Sequence, residues 1–265
     1  STQAKTLFPY TTLFRSVIDF GRGQRFGVYA ERATLSISQF IYISGAIGFE
    51  QADYGNTLRA GNLATPVIGA RGFSIGGADI TAFVGYAENG IDPTKTLAQQ
   101  ADGLYGFGVD GLDFGLLSVR DTAGTRYTAL SAHADEMAVY GFDPNDFQLS
   151  VRDLNIEYNS ASIIGRELNF TSGREREIRT GGDPVTLDFK GSRIGVFAGQ
   201  ATLQISQFLM AQGAIGFQKA DFGVLRAGAR PGERLVWCGP NSLEVLATIH
   251  AARKLGLVAV PLSYR

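Results

Sequence analysis

The sequence predicts a mainly β protein of stacked short strands, either a β-solenoid or an extended hairpin array, followed by a short C-terminal β-α-β segment. Three observations carry this. First, a segment occurs twice. "FGVYAERATLSISQFIYISGAIGFEQADYG" (26–55) and "IGVFAGQATLQISQFLMAQGAIGFQKADFG" (194–223) agree at 18 of 30 positions, at a constant offset of 168. Second, apolar and polar residues alternate with period two, as in Phe147, Leu149 and Val151 against Gln148, Ser150 and Arg152. Third, turn signals recur about every 8–12 residues, the spacing of many short strands. They are made mainly with Gly, at 34 residues against 8 Pro.

The elements follow in chain order. Residues 1–16 match neither copy of the repeat, and residues 17–224 form the repetitive region. "DFGRGQR" (19–25) answers "DFKGSR" (188–193) with one gap, and "DFGLLSVRD" (113–121) answers "DFQLSVRD" (146–153). Asp followed by an aromatic recurs at Asp19-Phe20, Asp113-Phe114, Asp146-Phe147 and Asp188-Phe189. Asp favours turns, and an aromatic suits the first inward position of a strand. Each pair therefore reads as a turn ending and a strand beginning. In "ATLSIS" (33–38), Leu35 and Ile37 share a face. Leu154, Ile156 and Tyr158 continue the alternation of 147–152 after a one-residue phase change, which predicts a bulge or turn near Asp153. Tyr29→Phe197, Ile41→Leu209 and Tyr54→Phe222 between the copies keep large side chains, as packed positions require.

The texture changes in residues 225–265. "RLVWC" (234–238) reads as a buried strand, and Asn241 or Ser242 can cap a helix over 242–255. Gly256 fits the left-handed position past its end. "LVAVPL" (257–262) is a continuous apolar run, as in a parallel strand covered on both faces. The segment reads as one β-α-β crossover. "LRAG" stands at 58–61 and again at 225–228, where the texture changes, so the chain is expected to join two unrelated pieces there.

Charge and composition bound the function. The formal net charge of −1 argues against binding nucleic acid, which needs a clustered basic excess. No apolar run reaches the roughly 20 residues of a membrane-spanning helix, and no signal-peptide pattern is visible. Cys238 is the single cysteine, and His133 and His250 are the only histidines. A disulfide framework, a cysteine zinc site and a multi-histidine metal site are thereby disfavoured.

Several residues stand in site-like patterns. "GFSIG" (72–76) has nucleophile-elbow spacing around Ser74, with His133 as candidate base, but "GADITAFVGY" after it reads as strand where the elbow needs a helix. A Gly-rich β-turn is the expectation there. Asp110, Asp113, Asp143 and Asp146 form two D-x-x-D turns. They are weak calcium candidates, without the dense spacing of a calcium loop, and ordinary turn capping is the competing reading. "GREREIR" (173–179) reads as a solvated loop or edge, Asn169 heads a glycosylation sequon, and His250 is read as packing on the tail helix. "GRGQRFG" (21–27) lacks dinucleotide-motif spacing. No cofactor, metal or catalytic residue is assigned.

Three resemblances add to this reading. Residues 17–224 resemble large, repetitive, exported bacterial proteins of the adhesin or haemolysin type, through the paired "ATL.ISQF…GAIGF" segments and "LDFGLLSVRDTAGTRYTALSAHADEMAVYGFDPNDFQLSVRDLNIEYN" (112–159). That resemblance implies an extracellular or cell-surface scaffold without catalysis, with neighbouring repeats of a longer parent chain as partners. "RPGERLVWCGPNSLEVLATIHAARKLGLVAVPLSYR" (230–265) resembles the N-terminal part of AMP-forming acyl-CoA ligases, cytoplasmic enzymes in which this segment is scaffold. Alone it implies an inactive fragment; Thr171-Ser172-Gly173 resembles the opening of that family's phosphate loop but lies upstream and takes no role. "TLFPYTTLFRS" (6–16) resembles a translated sequencing adapter, against the alternative of a strand-turn-strand with Pro9 in the turn. The expectation is a non-catalytic structural or adhesive fragment, chimeric in origin. An inactive ligase fragment and a calcium-stabilised extracellular binding module are the alternatives. Unpaired strand edges and a tail too small to bury its own core predict poor solubility.

Overall fold

A computed structural model describes residues 25–220, 234–238, 249–250, 252–254 and 258–262. The chain divides into two units, Ser1–Ala220 and Asp221–Arg265. Residues 6–16, the pair Asp19-Phe20, the second "LRAG" and the helix-cap candidates Asn241, Ser242 and Gly256 lie outside the described residues.

The first unit is mainly β. Its principal strands are β1 (Arg25–Ile37), β2 (Ile41–Gly55), β5 (Ala70–Ala87), β6 (Leu104–Arg120), β7 (Arg126–Tyr140), β8 (Phe147–Ala161), β11 (Arg193–Ile205) and β12 (Leu209–Ala220). They form one sheet in the order β1-β2-β5-β6-β7-β8-β11-β12, antiparallel at every pairing. Antiparallel neighbours joined in chain order make a hairpin array, the second of the two architectures anticipated. Short pairs fill the long connections: β3 (Arg59–Ala60) with β4 (Thr65–Pro66), and β9 (Arg176–Ile178) with β10 (Val185–Leu187).

The turns follow from local chemistry. Ser38 and Ser206, equivalent in the repeat, both take positive φ (53° and 48°) and close the β1–β2 and β11–β12 hairpins. Asp121 caps the β6–β7 turn, its Oδ1 accepting the Thr125 amide at 2.8 Å and its Oδ2 the Tyr127 hydroxyl at 3.0 Å. Burial works to raise the Asp121 pKa, but these bonds outweigh it and the carboxyl is held low. Asp143 closes the β7–β8 turn by accepting the Asn145 amide at 2.9 Å.

A line of irregularities crosses the sheet. Register shifts fall at Ala30/Ala33, Ser44/Ala46, Gly77/Ile80, Ile80/Ala82 and Ala198/Ala201. Asp79, Gly111 and Asp153 take left-handed backbone along the same line. The phase change anticipated near Asp153 is therefore a kink inside β8. In β6 the buried positions switch from 104, 108 and 110 to 115, 117 and 119 across Gly111. One extra residue reverses side-chain parity, so the switch keeps the same face covered.

That face is covered by two excursions. The 162–192 segment lays Leu168, Phe170, Ile178, Leu187 and Phe189 on Ala52, Tyr54, Leu117, Val119, Tyr127 and Ala129. The 88–103 connection, with a single 3-10 turn at Ala98–Gln100, sets Leu97 against Phe83, Leu104 and Tyr140. Burying side chains of this size contributes roughly 1.5–3 kcal/mol each.

Several expectations need correction. Asp113-Phe114 lies inside β6 and Asp188-Phe189 follows β10, so only Asp146-Phe147 marks a strand start among the described pairs. An aromatic beside Asp also suits a bulged strand, where local kinks do the work of a turn. "GFSIG" is neither elbow nor turn but part of β5: Gly72 lies against the Ser118 carbonyl of β6, and Gly76 passes beneath the covering segment at Arg179. "GREREIR" is not simply solvated: it contains β9, and Ile178 is buried in the core.

In the second unit, β13 (Arg234–Cys238) and β14 (Val258–Leu262) pair in parallel, with helical residues 249–250 and 252–254 between them. Parallel pairing needs a crossover, and the helix supplies it. Ala252 is buried, while His250 is exposed rather than packed.

Candidate functional site

Two polar regions sit on the sheet. The first follows the line of kinks. Register places Gly111, Asp135, Asp153 and Gly199 side by side on β6, β7, β8 and β11. The Asp135 and Asp153 carboxylates lie over these glycines, where any Cβ would collide with them. His133 lies between: its Nδ1 is 3.1 Å from Asn155 Oδ1 and its Nε2 3.2 Å from Asp135 Oδ1. Beside this line an open cleft of about 380 Å³ is walled by Glu31, Arg32, Asp79, Lys95, Asp113 and Asp183.

The second region lies under β9 and the residues after it. Glu50 is 6% exposed, and each of its carboxylate oxygens meets one partner. Tyr29 Oη donates to Glu50 Oε2 at 2.6 Å, and Arg25 Nε stands 3.4 Å from Oε1. The guanidinium of Arg179 lies 5.9 Å from the centre of the Tyr29 ring, and that of Arg176 5.0 Å from the Tyr54 ring. Burial, then the Glu50 hydrogen bond, pushes the Tyr29 pKa up to about 12. Burial also raises the Tyr54 pKa; the nearby Ser74 hydroxyl opposes the rise without forming a well-aligned bond to Tyr54 Oη.

The backbone explains why this region forms here. Register aligns Gly48, Gly76 and Gly115 across β2, β5 and β6. A Cβ on Gly48 or Gly76 would strike the Arg179 carbonyl, and one on Gly115 would press on Ile178. The glycines make a trough into which the covering chain sinks, and Arg179 is thereby delivered to Tyr29.

Ser74 is buried on β5 opposite Glu50 and Leu117, whereas His133 faces Asp113 and Asn155. Leu117 and Asp113 are four residues apart on β6, about 13 Å at strand rise. Ser74 and His133 are thus not brought together. Asp110 lies within β6, 6% exposed, accepting the Leu97 amide at 2.8 Å and the Thr81 hydroxyl at 3.3 Å. Burial raises its pKa, opposed by those two bonds. Asp113 Oδ1 accepts the Asp79 amide at 2.8 Å. Asp110 and Asp113 are in a strand rather than a turn, while Asp143 and Asp146 are in the β7–β8 turn. Among the described residues no group of three or more His, Cys, Asp or Glu side chains is arranged to hold a metal ion. The Asn169 amide is buried, donating to Gly61 O at 3.1 Å and accepting from the Thr171 amide and hydroxyl. No described helix is long and apolar enough to cross a membrane.

Sequence reasoning missed the Glu50 region. The signal was present in the repeat itself: Tyr29 and Glu50 become Phe197 and Gln218 together. A hydroxyl and a carboxylate lost as a pair indicate a hydrogen bond, which the reading of Tyr29 as plain packing overlooked. No family model matches the chain, and no curated protein or solved structure matches it.

Proposed function

We propose that residues 17–224 are a structural, non-catalytic module of an extended, repetitive β-sheet, adhesive in role and working at a cell surface. The observation carrying this is the duplicated hairpin. Both copies keep one register, from Arg25↔Ala52 to Ile37↔Ile41 and from Arg193↔Ala220 to Ile205↔Leu209, bulge included. They stand at the two ends of one sheet. A unit bounded by interchangeable hairpins is what a tandem array requires. The polar clusters also favour scaffold over chemistry. Glu50 and Asp110 spend their oxygens on the protein's own groups, and Ser74 is far from His133.

Display of the chain on a non-adherent bacterium tests the reading. Attachment to abiotic surfaces or host-cell matrix should rise at least several-fold over the empty carrier, and Ser74→Ala or His133→Ala should leave it unchanged. No rise in attachment overturns the adhesive role. Calcium is expected to leave the melting midpoint unmoved.

The tail has its own reading. The parallel β13–β14 pair around a helix favours an inactive scaffold piece of a ligase-like domain. ATP–pyrophosphate exchange above background would contradict that.

A further inference from the structure

The sheet has two unpaired margins among the described residues: β1 bonds only to β2, and β12 only to β11. Both margins are long, at 13 and 12 residues, and carry exposed apolar side chains. On β1, Phe26 is 60% exposed and Leu35 51%; on β12, Met210 is 66%, Ile215 63% and Phe217 58%. Long exposed apolar margins are templates for pairing with another chain.

We propose that copies of this chain associate head to tail, the β12 margin of one pairing antiparallel with the β1 margin of the next. The partner is a second copy of the same chain, and the inference rests on the reading of the sheet as an array module.

Three features select this partner. Chain sense alternates through all eight strands, so β12 and β1 run in opposite directions and a translated copy continues the alternation. The bulge row also continues. In the hairpins, Ala46 faces the Glu31–Arg32 bulge of β1 and Ala214 the Gly199–Gln200 bulge of β11, with Gly45 and Gly213 next to them paired with Ala33 and Ala201. A Cβ on Gly213 would meet nothing within 4 Å, so Ala33 of a following copy has room opposite it, with the Glu31–Arg32 bulge beside it at Ala214. The other partner that the repeat allows, a β8-like strand, fits worse. Inside the sheet β8 sets Asp153 against Gly199, whereas the equivalent position on β1 is Glu31. A β8-like neighbour would drive a carboxylate onto a carboxylate. Exchange of whole hairpins offers no advantage, since it breaks one β2–β5 pairing for each pairing it makes.

The row also fixes the register. Phe217 stands opposite Val28 of the next copy, Leu209 opposite Ile37, and Gly216 opposite Tyr29, as Gly48 does within the chain. The contact is heterologous and does not close, so it yields open filaments.

Analytical ultracentrifugation of the full chain tests this. The wild type should show average mass rising continuously with concentration. A chain carrying Ile215→Lys and Phe217→Lys, and another carrying Val28→Lys and Leu35→Lys, should each associate at least about tenfold more weakly. An equimolar mixture of the two should form dimers and nothing larger, because each retains one open margin. A monomeric wild type, or a single-margin variant that associates as strongly as the wild type, overturns the proposal. Should a lysine variant lose its sheet circular dichroism, Phe217→Cys with Val28→Cys in a Cys238→Ser background decides. A disulfide ladder between chains supports the register. No ladder, or an equal one from the mismatched pair Ile215→Cys with Leu35→Cys, refutes it. Surface attachment is read separately on the same variants. A wild type that attaches without associating sinks this inference alone, and one that associates without attaching sinks the adhesive role alone.

Discussion

The β1–β2 and β11–β12 hairpins share sequence, register, bulge and turn, yet their burial is reversed. In the first copy the second strand is inside: Ser44, Ala46 and Glu50 are buried against β5 and the covering segment. Their counterparts Gln212, Ala214 and Gln218 are exposed. In the second copy the first strand is inside: Thr202 is 7% exposed, while its counterpart Thr34 is exposed. Local sequence thus sets hairpin geometry, and neighbours set burial. The substitutions between copies follow the neighbours. Glu31 becomes Gly199 where the Asp153 carboxylate needs the space. Tyr29 and Glu50 become Phe197 and Gln218 where no Arg179 arrives. Arg193 turns instead to Glu157, its Nη1 donating to Oε2 at 2.6 Å.

The largest expected break in this comparison is at the glycine trough. Gly48→Val should lift the covering segment and cost about 2–4 kcal/mol in urea unfolding. Gly216→Val, whose nearest neighbour is the Phe197 side chain, should change stability by less than about 1 kcal/mol. Equal losses would mean that the trough has no special role.

Next comes the buried carboxylate. Glu50→Ala strands the Tyr29 hydroxyl and leaves Arg25 unpaired, for about 2 kcal/mol; Gln218→Ala should stay within about 0.5 kcal/mol.

Converting Tyr29 to the Phe of the second copy is milder. Tyr29→Phe should cost about 1 kcal/mol near neutral pH. The folded Tyr29 pKa, about 12, is raised above the ordinary 10.0. Its contribution is therefore complete below pH 10 and lost as pH rises through about 12. Denaturation across pH 9–12 should show the wild type's advantage over Tyr29→Phe shrinking in that window. A constant difference would contradict the hydrogen bond to Glu50. Smallest of all, Phe217→Lys on the open margin should shift the stability of the isolated chain by no more than about 0.5 kcal/mol, read from dilute melts.

Much of the fold was legible because strands announce themselves locally. Alternation gave β8, the duplication gave both hairpins, and the lost phase at Asp153 gave the kink. The parallel strand pair of the tail followed from two apolar runs, 234–238 and 257–262. What stayed hidden depends on contacts distant in sequence. Nothing in "GFSIG" says that Arg179, about a hundred residues on, will rest on Gly76. "GREREIR" looks solvated because its charges hide one Ile178 that enters the core. Asp110 and Asp113 resemble turn residues because a kinked strand uses Asp and Gly as a turn does. The Glu50 region was the readable exception, through its paired loss in the second copy.

Native-state hydrogen exchange on the dilute, monomeric chain tests the central claim most directly. If neighbours alone separate the two hairpins, β2 amides should exchange at least about a hundredfold more slowly than their β12 equivalents, while Thr202 on β11 is protected over Thr34 on β1. Equal protection of the paired positions in both copies would contradict it.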